Sequence, residues 1–188
     1  MPRIYQQVDW SNGGDGIVIR RSAAKDQARP NIADLRGKTI ALAQNSPSEY
    51  FLLNALINGG VQPDPRMFKY TGDAFQAAAA FNADPNIGAC VSWAPDIYNL
   101  TKDERGKKNA LLVSTQTANK LIADVWFARA DFAKDHPDLC EGLVRGIFEG
   151  MDLLKAVDGK KKAAELMSKV YSVPPTDCMS MLDPGDAH

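Results

Sequence analysis

The chain has 188 residues, of which 45% are apolar and 24% charged, and a formal net charge of −1 at pH 7. This is enough apolar material for one ordinary domain or one and a half smaller lobes. There is no broad basic field, which excludes nucleic acid and anionic membrane as default partners and points to a small ligand.

The first ten residues, Met1 to Trp10, hold no apolar signal region, so no export signal is expected in the chain as written. No stretch nears the roughly 20 apolar residues of a membrane span. Asn12-Gly13-Gly14-Asp15 introduces an apolar strand over residues 16–20, and residues 22–30 read as a polar loop. From Leu35 to Ser92 the pattern alternates strand, helix, strand, helix, strand, with strands expected over 38–43, 67–70 and 87–92. The first helix, 47–58, is specified at both ends. Ser46 is its cap, Pro47 fits its first position, Glu49 is placed to reach back to the Ser46 N–H, and Gly59-Gly60 ends it. The second helix opens at Asp73, with Gln76 as a second capping partner, and runs through Ala77 to Phe81.

A polar link, 101–109, precedes two further extended runs at 111–114 and 124–129. From Pro137 the pattern is helical, and Leu139, Leu143, Ile147, Met151 and Leu154 form an apolar stripe that must bury against something. A shorter helix over 160–171 is stopped by Pro174-Pro175, and residues 183–188 read as a frayed end.

Parallel strands joined by helices place ligands beyond their carboxyl ends, so three loops carry the candidate site. In the first, Asn45, Ser46 and Ser48 can hydrogen-bond an anion at the helix start, where backbone N–H groups and the macrodipole converge; capping alone needs only Ser46 and Glu49. In the second, Thr71 and Phe75 flank Asp73, which is better read as a cap than as a ligand group. In the third, Trp93 can wall a cleft while Asp96 reads a polar or cationic substituent, or the indole simply packs under the Tyr98 loop.

The three cysteines, Cys90, Cys140 and Cys178, are too widely spaced for a disulfide framework or a zinc site, and Cys90 and Cys140 fall in apolar segments as core residues. Neither histidine, His136 nor His188, has an evident nucleophile or base beside it, so no catalytic residue is assigned. No phosphate-loop signature is present, and neither a cofactor nor a metal is expected. Lys160-Lys161-Lys162 reads as a solvated helix face.

Five pieces in order, residues 10–20 (WSNGGDGIVIR), 34–41 (DLRGKTIA), 46–48 (SPS), 91–95 (VSWAP), and ADF at 130–132 with HPD at 136–138, carry a family resemblance. The chain resembles the substrate-binding components of ABC importers in the nitrate, sulfonate and taurine group, which share the type 2 periplasmic-binding fold. The resemblance implies a three-layer α/β lobe with a mainly parallel sheet plus C-terminal helices belonging to another lobe, most of the first lobe being missing. It divides the chain into 1–30 (hinge strand and remnant of lobe one), 31–120 (second lobe) and 121–188 (return hinge strand and helices of lobe one). Residues 16–20 and 124–129 would be the hinge strands, with Gly13, Gly14 and Asn119 giving the freedom for closure, or else forming ordinary turns. Asp124 is a further ligand candidate, suited to a cationic group.

The implied function is extracytoplasmic capture of a small, anionic solute such as nitrate, a sulfonate or taurine, with phosphate also chemically open. The implied partners are importer membrane subunits, and a missing lobe or self-association would cover the apolar stripe. Two alternatives stand beside it: a pyrimidine-precursor-binding or -synthesis protein of the same fold, and a ligand-sensing or scaffolding lobe of a larger protein.

Overall fold

The computed structural model describes residues 1–102, 108–156, 158–171 and 174–182. In chain order the strands are β1 (Pro2–Trp10), β2 (Asp15–Arg20), β3 (Thr39–Ala43), β4 (Phe68–Thr71), β5 (Ile87–Trp93), β6 (Asn109–Ser114) and β7 (Ala123–Arg129). The helices are α1 (Pro47–Asn58), α2 (Ala74–Ala83), α3 (Asp96–Thr101), α4 (Ala130–Asp135), α5 (Pro137–Leu154), α6 (Gly159–Tyr171) and α7 (Pro175–Leu182). The chain divides into two units, Asp9–Asp124 and the paired segments Met1–Val8 and Val125–His188.

Within Asp9–Asp124 a five-stranded sheet runs in the order β4-β3-β5-β2-β6. β3 is parallel to β4 and β5, while β2 is antiparallel to β5 and β6. The sheet is therefore mixed, with β2 alone reversed. The segment read as a hinge strand, 16–20, is β2 and lies inside this sheet between β5 and β6. Ile17, Val18 and Ile19 are all 0% exposed. An unbroken apolar run is the mark of a strand covered on both faces.

Alternation sorts the strand residues into two layers. Ile17, Ile19, Ile40, Leu42, Ala89 and Val91 pack with Phe51, Leu52 and Leu56 of α1. Val18, Ala41 and Cys90 face the other way, toward Ala77, Ala78 and Phe81 of α2 and Ile97 and Leu100 of α3. Burial pushes the Cys90 thiol well up, leaving it an inert core residue.

α1 ends as its sequence specifies. Gly60 takes φ +68°, Val61 N–H bonds Leu56 O at 2.8 Å and Gly60 N–H bonds Ile57 O at 3.1 Å, a Schellman closure with Val61 buried beneath it.

In the other unit, α5 buries none of its side chains. Leu139, Leu143, Phe148, Met151 and Leu153 are all exposed, and Cys140, expected in a core, is only half-buried. Ala164 and Cys178 are the buried apolar residues of its helices among the described residues. Tyr5 of β1 and Trp126 of β7 meet edge to face at 6.5 Å.

Four elements were not expected from sequence: β1, α3, α4 and α7. Pro174-Pro175 reads as a helix stop, yet Pro175 is the first residue of α7, where a missing N–H costs nothing. The expected link 101–109 lies partly, and the frayed end 183–188 wholly, outside the described residues. Among the described residues no helix is long and apolar enough to cross a membrane.

Candidate functional site at one edge of the sheet

Register aligns Ala43 with Thr71, Asp15 with Trp93 and Gly16 with Ser114. One edge of the sheet in Asp9–Asp124 therefore gathers the carboxyl ends of β3, β4, β5 and β6 together with the amino end of β2.

At β3 the chain turns through Asn45, whose φ is +52°. Ser46 caps α1: its Oγ accepts from the Glu49 N–H at 3.4 Å and donates to Ala43 O at 2.7 Å. Glu49 does not reach the Ser46 N–H as expected. The left-handed turn presents the N–H of Asn45 instead, which donates to Glu49 Oε2 at 2.6 Å. Tyr70 of β4 donates its hydroxyl to Glu49 Oε1 at 2.7 Å. Among the described residues no protein acceptor meets the N–H of Ser46 or of Ser48. Ser48 is 0% exposed, and its Oγ has no hydrogen-bond partner. These donors lie at the positive end of a twelve-residue helix.

The β4 loop satisfies itself. Thr71 Oγ1 lies 3.2 Å from Leu42 O and 2.8 Å from Asp73 O. Asp73 caps α2 by accepting from the Gln76 N–H at 2.8 Å, and Gln76 Oε1 accepts from the Gly72 N–H at 3.2 Å. Phe75, 51% exposed, meets Trp93 edge to face at 5.6 Å, so the two rings form one aromatic wall. Asp96 opens α3, and its partial burial raises its carboxyl above the usual range.

At β2 the edge is acidic. Asp15 is 7% exposed and accepts from Ser11 Oγ at 2.5 Å. Thr115 Oγ1 accepts from the N–H groups of Gly13 at 2.9 Å and Asp15 at 3.2 Å, and Tyr98 donates its hydroxyl to Gly13 O at 2.7 Å. The Gly13-Gly14 turn is thus tied down on several sides. Gly13 itself holds φ +87°, a conformation other residues adopt only with strain. Asp124, exposed on β7, hydrogen-bonds Asp9. The Asp9 carboxyl is raised by burial first and by Asp124 second; Asp15 is raised by burial, opposed by the Ser11 hydroxyl, and raised further by Asp124. Asn119 lies exposed in the turn between β6 and β7. Among the described residues no group of three His, Cys, Asp or Glu is placed to hold a metal ion.

Sequence reasoning singled out Asp124 but not Asp9, Asp15, Ser11 or Thr115. More than a hundred residues separate Ser11 from Thr115, and only the reversed β2 brings them together. The edge is bipolar as a result, with N–H donors at β3 and α1 and carboxyls about β2. Two strand spacings, about 10 Å, separate β3 from β2.

The chain is 28% identical over 135 residues to the taurine-binding periplasmic protein of Escherichia coli, a match covering 72% of this chain and 39% of that protein. Its fold is similar to the periplasmic aliphatic sulphonate-binding protein of Escherichia coli, at 21% identity and TM-score 0.72, over 93% of this chain and 56% of that one. It is also similar to the alkanesulfonate-binding protein of Xanthomonas axonopodis pv. citri bound to MOPS, at 21% identity and TM-score 0.70, over 96% and 58%. The periplasmic nitrate-binding protein of Synechocystis PCC 6803 follows at 18% identity and TM-score 0.60, over 89% and 45%. These likenesses establish the type 2 periplasmic-binding fold, and the chain spans about half the length of the proteins it matches or less. Residues 20–157 match the family described as NMT1/THI5 like, and the chain belongs to that family.

Proposed function

We propose that this chain binds a small solute with a sulfonate-type anionic head and an amine, as part of the solute-binding component of an importer working outside the cytoplasm. The bipolar edge carries the reading. Ser46 and Ser48 offer donors for the head group, Asp124 with Asp9 and Asp15 receives the ammonium, and the Phe75–Trp93 wall covers the short carbon link. The named relative that binds taurine, an aminosulfonate, supports the same chemistry. The reading makes the protein a carrier rather than a catalyst.

Discrimination would follow from matched donors, because a buried N–H left unpaired by the wrong solute costs about 1–3 kcal/mol. Importer membrane subunits are the partners this reading requires. The open apolar face of α5 needs a cover as well, from the rest of a two-lobed protein or from a second copy of the chain.

The test is a thermal-shift comparison of taurine, ethanesulfonate and ethylamine on this chain. Taurine is expected to raise the melting temperature most and ethanesulfonate less, since a ligand that binds only the folded form stabilises it by mass action. Equal shifts with all three, or none, would overturn the proposal.

A further inference from the structure

Glu49 is fixed from two directions at the donor end of the site, by the Asn45 N–H from the turn after β3 and by the Tyr70 hydroxyl from β4. Capping α1 accounts for the bond from the Asn45 N–H but not for the one from Tyr70. The bond to Glu49 is the first cause that holds the Tyr70 hydroxyl above its ordinary pKa, so the phenol stays a donor. None of the ion pairs among the described residues includes Glu49. A carboxylate with no ion-pair partner among the described residues therefore stands at the same helix start as the N–H groups of Ser46 and Ser48.

Resting on the solute-site reading above, we infer that Glu49 is a charge filter that admits singly charged, sulfonate-type heads and turns away doubly charged anions of the same shape, such as sulfate and hydrogen phosphate. Hydrogen bonds from the α1 terminus are available to both kinds of anion, so the second charge decides. That charge meets a helix end equivalent to about +0.5 and, at the same end, a carboxylate of −1. Repulsion wins. A neutral side chain at position 49 reverses the balance and leaves the helix end to favour the dianion.

The experiment is an NMR titration of the full chain with methanesulfonate and with sulfate, at neutral pH and low ionic strength where charge effects are least screened. Methanesulfonate is expected to bind the wild-type chain more tightly. In Glu49→Gln, which keeps an acceptor for Asn45, the ratio of the two affinities is expected to shrink about tenfold, mainly through a gain by sulfate. Tyr70→Phe keeps the charge and is expected to leave the ratio within about twofold of wild type. If both anions bind and Glu49→Gln leaves the ratio unchanged, the filter is overturned and the solute site stands. If the wild-type chain binds neither anion, the solute-site reading itself falls. Should Glu49→Gln fail to fold, the wild-type chain titrated with inorganic phosphate on either side of its second ionisation decides: affinity is expected to fall as the second charge forms, and a rise overturns the inference.

Discussion

The sheet of Asp9–Asp124 and the helix α5 are both rich in patterned apolar residues, and they end in opposite states. In the sheet, Ile17, Ile40 and Leu42 are 0% exposed because α1 covers one face and α2 with α3 the other. In α5, Leu139 is 56% and Leu153 71% exposed. The same kind of pattern is satisfied in one place and waiting in the other, so apolar periodicity specifies which face is to be covered and not what covers it.

The largest effect that probes this contrast is in the core. Phe51→Ala, at 1% exposure, is expected to cost about 3–5 kcal/mol in denaturant unfolding, whereas Leu143→Ala is expected to change stability by no more than about 0.5 kcal/mol. A large loss from Leu143→Ala in the isolated chain would show that α5 is already covered, for example by self-association. A smaller effect separates the helix starts. Ser46→Ala removes the side-chain cap of α1 and is expected to cost about 1 kcal/mol, while His136→Ala removes no cap bond from α5 and is expected to be near neutral. Equal losses at the two positions would mean that capping does not distinguish the units.

The smallest effect is electrostatic and falls on the acidic part of the edge. The native Asp9 carboxyl is raised above its ordinary value of 3.8, so the folded chain binds more protons than the unfolded chain from that pH upward. Stability from this group therefore falls as pH rises through the window between the two values. Asp9→Asn removes that loss. Its melting temperature is expected to exceed the wild type's at neutral pH and to converge with it below pH 3.8, and a variant less stable than wild type at pH 7 would contradict the assignment.

Much of the strand-helix order from Leu35 to Ser92 was legible because its punctuation is local. Ser46, Pro47, Asp73 and Gly60 each act within a few residues of where they stand. The direction of β2 was not legible, since an apolar run reports burial on two faces and not which way the strand points. β1 was hidden for the opposite reason: its residues are mostly exposed, and Gln6 interrupts the alternation that Ile4, Val8 and Trp10 would otherwise show. The donor half of the candidate site is a short-range motif, whereas Asp9 on β1, Asp15 on β2 and Asp124 on β7 come from segments far apart in sequence that only the fold gathers. Glu49 lies between the two cases. Its place in a cap could be read from spacing, but its bond to Tyr70 depends on β3 and β4 lying side by side.

The most direct measurement is a residue-resolved NMR titration of the chain with taurine. The bipolar edge predicts shifts centred on the backbone amides of Ser46 and Ser48, the indole of Trp93 and the carboxyl of Asp124, with α5 unmoved. Shifts confined to residues 125–182, or a titration in which Ser46 and Asp124 both stay still, would contradict it.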